Sequence, residues 1–258
     1  MVFFFTATGN SLYVAKQLDA NSVSIPQVCK QQDLQFADTT IGIVCPVYCG
    51  EIPSLVFEFL KKAHFKTPYL YLILTYGMDE SDSAEFTARQ CEKIGVYFDY
   101  IHCVKMVDNY LPAFDMQAET AADKQVDRQL KEVIADITAQ KREIPKAEKA
   151  GIKLHKRVKI MNRLFPALNN GKALQITENC TGCTVCSQIC PLGNIAVDAG
   201  RAHRLHKTCA FCLACIQNCP QKAITLRSEK NPNARYRNEH ISLEEIIRAN
   251  KQTEKISD

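Results

Sequence analysis

The spacing C-x2-C-x2-C-x3-C-P occurs twice without deviation, ending at Pro191 and at Pro220. Cys180 and Cys209 open the two runs, so the duplication has a period of 29 residues. Thiolates two residues apart let a tight loop wrap one face of a cubane, while the fourth, on a following helical turn, reaches a second cluster. That geometry predicts two crossed sets, Cys180, Cys183 and Cys186 with Cys219, and Cys209, Cys212 and Cys215 with Cys190. The prolines end each helical turn. The small residues Thr181, Gly182, Ala210 and Ala214 let backbone N–H groups approach the sulfurs. Zinc modules use two separated C-x2-C pairs, a different pattern. Disulfides are disfavoured because Cys29, Cys45, Cys49, Cys91 and Cys103 are left over, scattered and odd in number. They argue for reduced thiols and a cytoplasmic protein.

At 258 residues the chain has room for one full α/β domain and a smaller second one. Its net charge of +4 is too small to imply nucleic-acid binding by the whole molecule. No apolar run is long enough for a membrane span. The apolar opening Met1–Phe5 lacks basic residues before it and a small-residue cleavage site after it, and reads as a buried strand.

Short apolar runs alternate with amphipathic stretches through residues 1–140. Strands are expected at Val2–Phe5, Thr40–Cys45, Tyr69–Leu74 and Phe98–Val104, with a weaker one at Ser22–Ile25. Helices are expected at Ser11–Leu18, Pro53–Lys62, Ser83–Ile94 and Ala118–Ala139. This alternation predicts a parallel sheet covered on both faces. Residues 141–169 read as a basic helical linker: from Lys141 to Arg163 there are nine Lys/Arg against Glu143 and Glu148, a net +7. Either the stretch is simply solvated or it docks an acidic redox protein. Residues 170–230 hold the cysteine runs, each followed by a strand, Ile195–Val197 and Ile224–Leu226. Residues 231–258 form a tail with a short helix at Leu243–Ile247 and frayed final residues.

Three turns fall at strand C-termini, where an open parallel sheet presents its ligand crevice. The first is Thr6-Ala7-Thr8-Gly9-Asn10-Ser11, whose hydroxyls and helix-start amides suit a phosphate. It has no lysine, so it is not a Walker-type loop. The second opens Pro46-Val47-Tyr48-Cys49-Gly50 and the third is Thr75-Tyr76-Gly77. Tyr48 and Tyr76 can flank a planar ring, and Gly50 and Gly77 let backbone approach its edge. Together the turns point to a bound mononucleotide.

On these residues the first 140 positions resemble a flavodoxin domain, and the cysteine runs resemble bacterial two-cluster ferredoxins. The whole chain resembles the fused flavodoxin–ferredoxin proteins of anaerobic bacteria, helped by Asp108-Asn109-Tyr110-Leu111-Pro112. The resemblance implies a flavodoxin-like, doubly wound parallel five-stranded sheet followed by a small α+β two-cluster ferredoxin domain. It implies FMN on the three turns, two 4Fe–4S clusters on the eight cysteines, and electron transfer to a redox partner. One departure stands after Gly77, where Met78-Asp79-Glu80-Ser81-Asp82 replaces the small or amide residue and further glycine expected. These acids are expected to cap the helix at Ser83.

No dinucleotide fingerprint or catalytic motif is present, so no catalytic residue is assigned. A flavin-dependent reductase of a small molecule, or a ferredoxin with a flavin-free docking domain, are the alternatives. Asp79, Glu80 and Asp108 are read as surface groups and Cys49 as an incidental cysteine.

Overall fold

The computed structural model describes residues 1–165 and 170–252. The end of the expected linker, 166–169, and the last tail residues, 253–258, lie outside the described residues. The N-terminal half runs β1 (Val2–Phe4), α1 (Asn10–Leu18), β2 (Val23–Ser24), α2 (Ile25–Val28), β3 (Gln35–Ala37), β4 (Ile41–Pro46), α3 (Ser54–Lys62), β5 (His64–Lys66), β6 (Leu70–Tyr76), α4 (Ser83–Glu92) and β7 (Tyr100–Lys105). Helices α5 (Met116–Ala121), α6 (Val126–Thr138) and α7 (Lys149–Leu164) follow.

Five of these strands form one parallel sheet in the order β2-β1-β4-β6-β7. Counting sheet members alone this is 2-1-3-4-5, the flavodoxin-like order. One row of paired positions crosses the sheet through Phe3, Ile43, Leu72 and Ile101, all fully buried. Full burial of each such side chain stabilises by about 1.5–3 kcal/mol, which explains why the strands read as continuous apolar runs. Helix α1 packs on β1 and β4 and against α6, while α4 packs on β7 and against α3. A separate parallel pair, β3 with β5, was not expected from sequence. It holds Phe36 and Phe65 against Phe3, at ring separations of 4.6 and 6.2 Å.

The single helix expected over Ala118–Ala139 is two. The Asp115 side chain accepts from the Gln117 amide to start α5, and Gln125 adopts a left-handed φ of 50° that breaks the path before α6. Gln129 fastens the break by donating to the Lys124 and Lys105 carbonyls. Periodicity continues across this junction, so only the turn geometry separates the helices.

The C-terminal half runs β8 (Leu174–Ile176), α8 (Val185–Ile189), β9 (Ile195–Asp198), β10 (Arg201–Arg204), α9 (Ala214–Gln217), β11 (Ile224–Leu226) and α10 (Leu243–Asn250). Two antiparallel ribbons, β9 with β10 and β8 with β11, enclose α8 and α9. The tail is longer in helix than expected and packs firmly. Ser242 and Glu245 form a capping box, and α10 contacts both α8 and α2. Fully buried Asn250 donates to the Thr6 carbonyl across 2.9 Å.

The basic stretch is not a free linker. Ile101 donates to the Glu143 carbonyl, and Tyr69 Oη donates to the Lys141 carbonyl, tying the segment to the sheet edge. Helix α7 then docks through His155, which is buried although Lys153, Lys156 and Arg157 around it stay exposed. No helix among the described residues is long and apolar enough to cross a membrane.

Candidate functional site

The duplicated loops repeat in backbone as well as in sequence. Gly182 and Phe211 are left-handed at φ 68° and 48°, and Thr184 and Leu213 at 66° and 61°. These pairs lie 29 residues apart, so each loop makes the same alternating curl, which turns successive amides towards a common concavity. Phe211 accepts a conformation that costs little only for glycine, a sign that the loop shape is imposed. Backbone amides also reach the sulfurs in register. Asn194 donates to Cys190 Sγ at 3.3 Å and Ala223 to Cys219 Sγ at 3.2 Å. Ala202 donates to Cys180 Sγ and Phe211 to Cys209 Sγ.

The eight thiols sort into two hollows. One of ≈ 330 Å3 gathers Cys180, Cys183, Cys186 and Cys219; the other, of ≈ 460 Å3, gathers Cys190, Cys209, Cys212 and Cys215. Each hollow borrows one cysteine from the opposite repeat. Burial pushes the Cys212 thiol up to about 12 and Cys186 to about 11, with neighbouring cysteines of the same hollow adding to both shifts. Thiolates this buried need compensating positive charge. Among the described residues no three His, Cys, Asp or Glu side chains converge on a single-ion site. The thiols instead line the two hollows. All thirteen cysteines are free.

The sheet's carboxyl edge carries a crevice of ≈ 410 Å3, and against it a larger cavity of ≈ 1840 Å3. Thr6, Ala7, Thr8, Asn10, Ser11, Pro46 and Thr75 line the crevice; Cys49 and Gly50 line the cavity; Val47, Tyr48, Tyr76 and Gly77 line both. Gly9 lines neither, and its missing side chain makes room for Asn238 and Ile241 of the tail. Buried Thr6, Thr8 and Ser11 provide three hydroxyls at the start of α1. Ser11 Oγ pairs with Thr75 Oγ1 at 2.8 Å, and Thr8 Oγ1 accepts from Asn109 Nδ2 at 3.0 Å. The Asn10 amide is already engaged: it donates to the Val107 carbonyl and accepts from Tyr236 Oη. Asn10 therefore braces the loop. The hydroxyl set and the flanking tyrosines fit a phosphorylated planar ligand.

The glycines act differently from expectation. A β-carbon on Gly50 would lie 2.7 Å from the His155 ring, and one on Gly77 would lie 2.3 Å from Asp108. Each glycine admits a neighbouring side chain. Asp108 is correspondingly not a surface group. Its carboxylate accepts from the Met78 and Tyr110 amides at 3.0 Å each, joining the two loops, and burial raises its pKa against those donors. Asp79 and Glu80 do remain exposed. Asp82 precedes α4 but makes no side-chain cap; its buried carboxylate pairs with His155 Nδ1. Gly77→Ala is expected to cost about 1–3 kcal/mol by overpacking against Asp108. A lower urea midpoint would record it.

Helix α7 was missed as a wall of this site. Leu154, Val158 and Met161 line the cavity, at a helical spacing legible in sequence but hidden among lysines. His155 Nε2 lies 3.5 Å from Glu51 Oε1, and Lys159 Nζ lies 2.5 Å from the same oxygen. Phe86 sets its ring edge-on to His155 at 4.7 Å. The opposite wall is Phe211, whose ring meets Tyr110 edge-on at 6.3 Å. Ala210, Phe211 and Leu213 line both this cavity and the second thiol hollow. Tyr48 sits at the junction with its phenol oxygen buried and unpartnered. Burial pushes that phenol well above its ordinary range, with Cys212 and then Cys45 adding to the rise.

No family model and no curated protein matches this chain. A solved structure, a Trp repressor binding protein from Bacillus subtilis, is similar over 55% of this chain and 98% of its own, with 9% identity and a TM-score of 0.32. That likeness is too slight to carry an argument.

Proposed function

We propose that this chain is a cytoplasmic electron carrier of the fused flavodoxin–ferredoxin kind, with FMN on the crevice turns and a 4Fe–4S cluster in each thiol hollow. The observation that carries this reading is the sorting of eight cysteines into two crossed sets, one of which shares a wall with the cavity beside the crevice. When bound, the flavin exchanges one or two electrons and each cluster exchanges one, so together they convert between the two modes of delivery.

The chain's own residues position and insulate these groups. Thr6, Thr8 and Ser11 hold the phosphate at the start of α1, where the helix dipole favours an anion. Tyr48 and Tyr76 flank the ring, and Leu154, Val158 and Met161 keep water from it. The amides of Asn194 and Ala223 donate to thiolate sulfur, stabilising negative charge there. No side chain is required as an acid or base. Lys153, Lys156 and Arg157 project from α7 and suit an acidic redox protein, whose encounter they would accelerate.

Oxygen-free purification with an absorbance scan and iron analysis tests this. A flavin spectrum with about eight irons per chain is expected. Irons without flavin would leave a ferredoxin with a docking domain, and steady turnover of a small acceptor without any partner would make the chain a reductase. Colourless protein containing zinc would end the proposal.

A further inference from the structure

The two thiol hollows share one backbone design. Their loops share the same left-handed positions, and in each the fourth cysteine accepts an amide from the residue four further on, Asn194 or Ala223. Two differences break the symmetry: the first hollow leaves Cys183 exposed, and the second holds a charged side chain. Arg204, the last residue of β10, lines the second hollow, whereas no Lys, Arg, Asp, Glu or His lines the first. The position 29 residues earlier is Gln175, neutral and exposed.

Arg204 is held for this place. Its Nη1 donates to the Gly171 carbonyl at 2.5 Å, and its Nη2 donates to the His206 and Lys207 carbonyls at 3.1 Å each. These bonds fix the guanidinium plane without neutralising it, since no carboxylate takes part. The Nε is buried and has no partner among the described residues. A buried, charged N–H left without an acceptor is costly. The hollow it lines holds four thiols and no carboxylate.

We propose that Arg204 is a tuning residue that raises the potential of the cluster in the second hollow above that of the first, so that an electron entering the pair rests beside the flavin crevice. This rests on the two-cluster reading. Guanidinium stays charged at any working pH, and a fixed positive charge in a poorly solvated site favours the more negative, reduced form of its neighbour. The second hollow shares Ala210, Phe211 and Leu213 with the cavity that Tyr48 and Tyr76 join to the crevice, while the first exposes Cys183 to solvent. The resulting order is flavin, second hollow, first hollow, with the second hollow as the store.

A potentiometric titration followed by electron paramagnetic resonance, on the full chain, tests this with Arg204→Gln. The unaltered protein is expected to show two separated one-electron waves. In the variant the higher wave should fall and the lower stay, a change of at least tenfold in electron distribution, or about 59 mV for one electron. With iron content unchanged, two waves that move together, or neither moving, would overturn the proposal. If Arg204→Gln fails to retain iron, Arg204→Met carries the test. It keeps the apolar stem and removes the charge, so the higher wave should fall at least tenfold; an unmoved wave overturns the proposal. Absence of iron from the unaltered protein would sink the two-cluster reading itself, a separate failure.

Discussion

Cys190→Ala is expected to remove about four of the eight irons and to remove them from the second repeat's hollow, although Cys190 belongs to the first repeat. Cys190 lines that hollow with Cys209, Cys212 and Cys215, and takes no part in lining the other. The reciprocal Cys219→Ala should empty the hollow of Cys180, Cys183 and Cys186. Iron and sulfide analysis with electron paramagnetic resonance would then give two different residual spectra. The one left by Cys190→Ala should belong to the more exposed cluster. If instead Cys190→Ala damages only the cluster held by Cys180, Cys183 and Cys186, the crossed arrangement is wrong and each repeat is self-contained.

His155→Ala is expected to be the most damaging change outside the cysteines. His155 and Asp82 are both buried, at 3% and 5% exposure, and pair directly. Removing the imidazole leaves the Asp82 carboxyl group buried without its partner, a defect worth about 3–5 kcal/mol. It also empties the space that Gly50 keeps open and frees α7 from both ring-flanking turns. A urea midpoint compared with the unaltered protein reads the stability, and flavin per chain reads the site. A loss below about 1 kcal/mol, the scale of an exposed ion pair, would mean that α7 is a solvated linker after all. Lys156→Ala, on the exposed face of the same helix, should leave both readouts in place.

These predictions bear on one design. Helix α7 walls the cavity beside the crevice with its apolar and histidine face and turns Lys153, Lys156 and Arg157 outward. Loss of His155 would therefore act on flavin retention, whereas loss of the exposed cations would act on the partner and on salt dependence. The tail contributes in the same way, since Asn250 and Tyr236 brace the Thr6 and Asn10 ends of the phosphate-type loop.

Local order was legible in the residues alone. Strand runs such as Ile41–Cys45 and Leu70–Leu74 announced a parallel sheet because strands buried on both faces must be continuously apolar. The crossed cysteine sets followed from ligand spacing over a few residues. The loops at Thr6–Ser11, Pro46–Gly50 and Thr75–Gly77 were placed by strand ends. What only the tertiary structure decided involves partners far apart in the chain: His155 with Asp82, Gly77 with Asp108, Asn250 with Thr6, and Arg204 beside thiols of both repeats. Spacing and periodicity record what neighbours along the chain can do together. They carry no trace of which distant side chain fills the gap a glycine leaves, or of where one charge comes to rest.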